Sequence, residues 1–323
     1  MTAAHFAHVA PGRGHYESFY LRAVDPERPR GAWIRYTTHQ RPGRPPTGSV
    51  WCTVFDPEAG PPAAVKRTLP GPGVPAGEWI AVGESVFGPA GARGRVEGQG
   101  RAAAWELEMA GAAAPLRHLP REWMYRAPVP RTKLESPLPD AVFSGWIEAG
   151  GRRTEVAGWR GMAGHNWGAE HAERWVWLHG VAFAETPDAW LDLSIGRVRL
   201  GPVLTPWIAN GALALDGERH RLGGPRRARV RAVPGACEVT VGGSGVRVAL
   251  SAASPPGQTV AWAYADPGGG EHHSLNCSIA ELRLRVERPG RPALELAGAH
   301  GGAYELGTRD TAHGVPLEPF ADG

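Results

Sequence analysis

Between Gly161 and Gly180 the chain carries His165, His171 and His179, the carboxylates Glu170 and Glu173, the amide Asn166, and the tryptophans Trp167, Trp175 and Trp177. These residue types could move protons, orient a carbonyl or ligate a metal. Imidazole with carboxylate suits zinc or iron. However, the histidine spacings of six and eight fit no ligand signature, so no metal is expected. Glu170 and Asp192 are the candidate acids. Alternation in Trp190-Leu191-Asp192-Leu193-Ser194-Ile195 puts Trp190, Asp192 and Ser194 on one strand face. A carboxyl beside indoles in a dry pocket has its pKa raised by desolvation. It could then protonate an alkene or carbonyl while the indole faces stabilise the developing cation. His165 joins Glu170 and Asp192 as a candidate catalytic group. Asn166, Trp167, Trp175, Trp177, His179 and Trp190 are the expected ligand-binding lining, with Trp167 wedged between two domains. Glu17 and Tyr20 are weaker candidates, and His272-His273 reads as a turn.

Strands must position these groups, because helical periodicity is missing almost throughout. His15–Ala23, Trp33–Thr38 and Ser49–Asp56 are rich in aromatic and β-branched residues. Gly150-Gly151 and Asp216-Gly217 are two-residue hairpin signals. Each half supplies about eight to ten short strands, enough for an up-and-down barrel. The expected boundaries are 1–168 and 169–323, with His165 and His171 in the segment that links the two. The Pro-rich tail Thr311–Phe320 is expected to lie extended over a barrel wall.

Composition narrows the class. A chain of 323 residues exceeds one hydrophobic core, and 42% hydrophobic against 21% charged residues is globular. A net charge of +3, with no basic run interleaved with aromatics, gives no argument for nucleic acid. Cys52, Cys237 and Cys277 are scattered and form no CxxC pair. No signal peptide and no membrane-spanning run is visible, so a cytoplasmic monomer or homodimer is expected. Tryptophan is abundant, with 13 copies against 6 tyrosines and 7 phenylalanines. Either they pack two cores or several line an apolar ligand cavity, one alternative being the calyx of the first barrel between Trp33 and Trp51. No GxSxG, P-loop, dinucleotide fingerprint or Cys–His pairing is present.

At Gly164-His165-Asn166-Trp167-Gly168, followed by Trp175-Val176-Trp177, the chain resembles the tandem-lipocalin superfamily. That group includes carotenoid hydratases (hydroxyneurosporene synthases), AttH-like proteins and lipocalin-type Diels–Alderases. They similarly place a His-Asn-Trp-Gly or Asp-x-x-Trp-Gly segment between two lipocalin-like barrels. The hydratases often carry an acidic residue where this chain has His165 or Ala163. The resemblance implies an all-β fold of two consecutive lipocalin-like antiparallel β-barrels. It also implies an enzyme without a cofactor, acting on an apolar terpenoid- or polyketide-like molecule by cyclisation, isomerisation or hydration. The alternative is a non-catalytic carrier of a lipophilic ligand. A buried carboxylate or histidine in the cavity would favour the enzyme; a third reading has both barrels filled by side chains.

Overall fold

The computed structural model describes residues 2–224 and 228–321. In the first sheet β1 (His15–Val24), β2 (Gly31–Gln40), β3 (Thr47–Phe55) and β4 (Ala63–Pro70) form one meander. β5 (Ile80–Val82), β6 (Ser85–Gly88), β7 (Gly91–Gly98) and β8 (Arg101–Ala110) form a second. β9 (Leu116–Arg117), β10 (Thr132–Ala149) and β11 (Arg152–Gly168) complete it, in the order β4-β3-β2-β1-β11-β10-β8-β7-β6-β5 with β9 on β10.

The second sheet holds β12 (Arg174–Gly180) and β13 (Trp190–Arg197). A small separate pair, β14 (Arg199–Leu200) with β15 (Val203–Leu204), follows. The sheet resumes with β16 (Ile208–Leu215), β17 (Glu218–Gly224), β18 (Ala228–Val233), β19 (Ala236–Gly242) and β20 (Arg247–Ala253). It ends with β21 (Val260–Ala265), β22 (Glu271–Glu287) and β23 (Leu294–Thr308). The order is β17-β16-β13-β12-β23-β22-β20-β19-β18, with β21 on β22.

Every sheet pairing is antiparallel, and single bridges draw the outer strands together: Gly73 to Ala81 in the first sheet, Leu222 to Gly243 in the second. The fold is two consecutive lipocalin-like antiparallel barrels. The described residues include no α-helix, only 3-10 turns at Phe6–His8 and Glu122–Tyr125.

Both hairpin dipeptides turn the chain as their composition predicts. Gly150 and Gly151 have φ of 58° and 74°, and Asp216 and Gly217 have 55° and 76°, the left-handed pair that a tight hairpin needs. The central motif departs from expectation. His165, Asn166 and Trp167 are not in a link but in the long strand β11, and the link is only residues 169–173. His272 and His273 likewise lie in β22 rather than in a turn. The glycines of the motif read as breaks, yet they allow close approach. A Cβ on Gly164 would sit 2.2 Å from the Tyr20 ring, and one on Gly161 would sit 1.8 Å from the Arg22 carbonyl oxygen.

β1 and β2 are buried at almost every position. Alternation explains why: one face looks into the first barrel and the other onto the second. Inward, Phe19, Tyr36, Trp79, Phe87 and Trp105 fill the first barrel, with the Tyr36 hydroxyl accepting from Trp105 Nε1 at 3.0 Å. Outward, Trp33 and Trp51 meet Trp262 of the second barrel at ring distances of 6.5 and 5.1 Å. Trp33 and Trp51 therefore line the seam between barrels and not the calyx of the first. The tail also crosses the seam: Leu317 bridges Ala261, and Phe320 packs on Trp262.

Candidate functional site

Three buried polar clusters sit on or beside this seam. The first holds His165, which faces into the mouth of the first barrel. Its Nε2 is 2.8 Å from Glu17 Oε1 and its Nδ1 is 3.3 Å from Glu135 Oε1. Both partners are carboxylate oxygens, an arrangement that favours the imidazolium form of His165. Burial alone would lower its pKa, but the two carboxylates outweigh burial and raise it. Burial likewise opposes ionisation of Glu17, yet hydrogen bonds from His15, His165 and the His5 backbone hold it at about 2. Phe19 and Trp167 stack on the His165 ring at 4.0 and 4.5 Å, and His5 stacks on Trp167 at 4.3 Å. Trp167 is therefore buried inside the first barrel mouth, where β11 alternation puts it, and is not a wedge between barrels.

The second cluster joins the barrels around Asp192. Its Oδ1 accepts from Trp177 Nε1 at 3.1 Å; its Oδ2 accepts from Ser136 Oγ at 2.5 Å and from His118 Nε2 at 3.2 Å. His118 Nδ1 lies 3.1 Å from the Asn210 carbonyl oxygen. Both His118 nitrogens thus face acceptors, an arrangement that favours the charged ring, although Nε2 also lies 3.2 Å from the Ser136 hydroxyl. Burial lowers the His118 pKa, but Asp192 more than restores it. For Asp192, burial is outweighed by His118, His179 and Ser136, and its pKa stays at about 2. His179 takes the opposite state. Arg22 Nη1, a donor only, is 3.0 Å from its Nδ1, and its Nε2 donates to the Pro139 carbonyl at 3.1 Å. Burial and Arg22 hold His179 neutral, with a pKa of about 3. Arg22 also gives two hydrogen bonds to the Ser278 carbonyl, at 2.9 and 3.2 Å.

The third cluster surrounds Glu305. Register aligns two polar rows on the faces that meet: Asn210, Ser194, Trp177, Glu305 and Asn276 across the second barrel, and Asn166, Ser18, Thr37 and Ser49 across the first. Glu305 Oε1 accepts from Trp175 Nε1 at 2.7 Å, and Asn276 Nδ2 is 3.4 Å from its other oxygen. Burial pushes the Glu305 carboxyl up against these hydrogen bonds and the charge of Arg35. Arg35 donates its Nε to Ser18 Oγ at 2.7 Å, while its Nη1 has no partner among the described residues. Its guanidinium lies over Tyr264 at 4.0 Å and within 6 Å of the Trp33 and Trp51 rings. Most neighbours in these strands are buried, but Tyr20, Asn166, Trp175 and Ser194 keep partial exposure, and Glu305 retains 8%. This end of the seam is thus partly open to solvent.

The structure brings together Asn166, Trp175, Trp177, His179 and Asp192 along the seam, with Trp190 at its edge under Arg219. It does not bring Glu170, which is half-exposed and ion-paired with Arg131, nor His165 and Trp167, which belong to the barrel mouth. Glu305, Arg35, Arg22, His118 and Ser136 escaped the sequence reading. Arg22, Arg35 and Glu305 left one signal, a charge directly between apolar or aromatic neighbours, as in Leu21-Arg22-Ala23, Ile34-Arg35-Tyr36 and Tyr304-Glu305-Leu306. An open groove of about 610 Å³ lies elsewhere, on β18–β20 and β22. Arg229, Arg231, Arg283 and Arg285 line it beside Val230, Val239 and Leu250, and no tryptophan does.

No family model matches the chain. Two proteins of Mycobacterium tuberculosis, from strains CDC 1551 / Oshkosh and H37Rv and both called uncharacterized, are 29% identical over 308 residues, covering 93% of this chain and 88% of theirs. Among solved structures, CghA superposes with a TM-score of 0.59 at 13% identity, covering 94% of this chain and 91% of its own. CghA with Sch210972 gives 0.56 at 12% identity, covering 93% and 89%. An AttH-like protein of Nitrosomonas europaea gives 0.52 at 15% identity, covering 95% and 97%. These likenesses are of fold, two consecutive lipocalin-like barrels. No helix among the described residues is long and apolar enough to cross a membrane.

Proposed function

We propose that this chain is an enzyme acting on an apolar terpenoid- or polyketide-like small molecule by cyclisation, isomerisation or hydration, at the seam between domains 1–168 and 169–323. The observation that carries the reading is Glu305, a buried carboxyl with a raised pKa at the aromatic end of the seam. A carboxyl that keeps its proton can give it to an alkene or carbonyl. Trp175, Trp177 and Tyr20 form the walls, and their π-faces suit a developing cation. Arg35 and Asn166 offer donors that could orient a ligand carbonyl, and rigid walls would hold a reactive conformer. Asp192 and His179, ionised and neutral respectively, support the walls by fixing Trp177 and Arg22. The chemistry needs no redox step, and the reading is supported by CghA, a protein of similar fold that was solved with Sch210972.

The test uses a panel of apolar polyenes and terpenoids, followed by indole fluorescence and by mass spectrometry of products. The reading expects saturable quenching and turnover of at least one panel member. Glu305→Gln should keep the quenching and lose about 10²–10⁴-fold in turnover, the range for a general acid. Quenching without turnover by the parent would favour a carrier. Turnover unchanged in Glu305→Gln would remove Glu305 from the chemistry.

A further inference from the structure

Asp266 and the histidines beside it lie outside the reading above. We propose that His171, Asp266 and His272 bind a first-row divalent cation of the zinc class, which pins the inter-barrel link to the β21–β22 hairpin. One ligand atom from each residue lies within 4.8 Å of the other two. The three come from separate places: His171 from the link 169–173, Asp266 from the turn after β21, and His272 from the start of β22.

The atoms that converge on Asp266 are the two Nδ1 nitrogens. Asp266 Oδ1 accepts from the His171 backbone N–H and from His171 Nδ1, both at 2.8 Å. Nδ1 therefore carries the His171 proton, which a cation bound there would displace. Both ring nitrogens of His272 are buried without a hydrogen-bond partner among the described residues. His272 is 0% exposed, and its Nδ1 lies 3.4 Å from Asp266 Oδ2. Buried polar atoms rarely stay unpaired. Two imidazole nitrogens beside a carboxylate are a donor set that zinc takes. Bonds of about 2.0–2.2 Å place tetrahedral ligand atoms about 3.4 Å apart, so small rotations of the rings would close the site. Stacking already orients them: Tyr16 covers His171 at 4.0 Å, and Trp175 lies 5.4 Å from His272. Arg309 Nη2, 3.2 Å from Asp266 Oδ2, competes for the carboxylate, but its Nε already reaches Glu173 at 3.3 Å.

The experiment is calorimetric titration of zinc chloride into the chelator-treated full chain near neutral pH, with thermal melting alongside. One zinc per chain and a raised Tm are expected. His171→Ala and His272→Ala should each weaken binding at least about tenfold, since even a group supporting a ligand is worth that much. Arg309→Gln keeps all three ligands and removes the competing charge, so it should bind zinc as tightly as the parent or more tightly. Absence of saturable binding by the parent, unchanged affinity in the doubly substituted chain, or weaker binding by Arg309→Gln would each overturn the proposal.

Discussion

Asp192 and Glu305 sit on the two strands that flank β12, and both are buried between the barrels. Around Asp192 the acceptors are saturated: an indole, a hydroxyl and an imidazolium donate to it, and the carboxyl stays ionised. Around Glu305 there is one short hydrogen bond and one long one, an arginine with an unpaired nitrogen nearby, and a pKa that burial raises. A saturated carboxylate joins two domains but has nothing left to offer a ligand. An under-satisfied carboxyl adds little to stability, and burial favours its protonated form. The seam thus divides into a clamp and a candidate site.

The comparison is broken most forcefully at the clamp. Asp192→Ala leaves the His118 imidazolium buried without a counter-charge, and stability measured by urea unfolding should fall by about 3–5 kcal/mol. A loss under about 1 kcal/mol would mean that the cluster is not a clamp.

The clamp should also be acid-sensitive in a particular window. The folded pKa of His179 is about 3, below its ordinary 6.5. The neutral ring is therefore favoured by folding. Its contribution is present above pH 6.5 and is lost as pH falls from 6.5 towards 3, on the order of 4 kcal/mol at the bottom. Asp192, lowered from 3.8 to about 2, loses its contribution only below about pH 4. Unfolding measured across pH 4–6.5 should therefore slope with pH in the parent and slope less steeply in His179→Asn, where His5 and His171, also lowered, keep their share. An equal slope in both would assign the acid sensitivity to other groups.

How much of this was legible in the chain depends on distance in sequence. The strand pattern and the hairpins at Gly150-Gly151 and Asp216-Gly217 are local, and the fold follows from them. The length of β11 was hidden because Gly161 and Gly164 look like breaks until Arg22 and Tyr20 are seen beside them. Trp175, Trp177 and Asp192 were readable because one hairpin carries all three. The partners of Asp192 were not, because Ser136 and His118 are 56 and 74 residues away. Glu305 stood in the open as a charge within Ala303-Tyr304-Glu305-Leu306, but only its 130-residue reach to Trp175 gives that charge a place. Glu170 shows the opposite error: it is next to the motif in sequence, yet it faces solvent.

Smaller effects sharpen the contrast. Ser136→Ala removes one donor from an ionised acceptor and should cost about 1.5–3 kcal/mol, with ligand quenching of indole fluorescence unchanged. Glu305→Gln replaces a carboxyl that burial already disfavours as an anion. It should shift stability by less than about 1 kcal/mol while altering the response to apolar ligands. If Glu305→Gln were as damaging to folding as Asp192→Ala, the two halves would be equivalent.

The most direct measurement is the ionisation of Glu305 itself. Difference infrared spectra of the parent against Glu305→Gln, recorded across acid and neutral pH, isolate the carbonyl band of its protonated carboxyl. The band should persist above the ordinary glutamate value of 4.5, whereas the matching difference for Asp192→Asn should show a carboxylate down to about pH 2. A Glu305 band that vanished at or below 4.5 would contradict the division of the seam and leave the proposed proton donor without its proton.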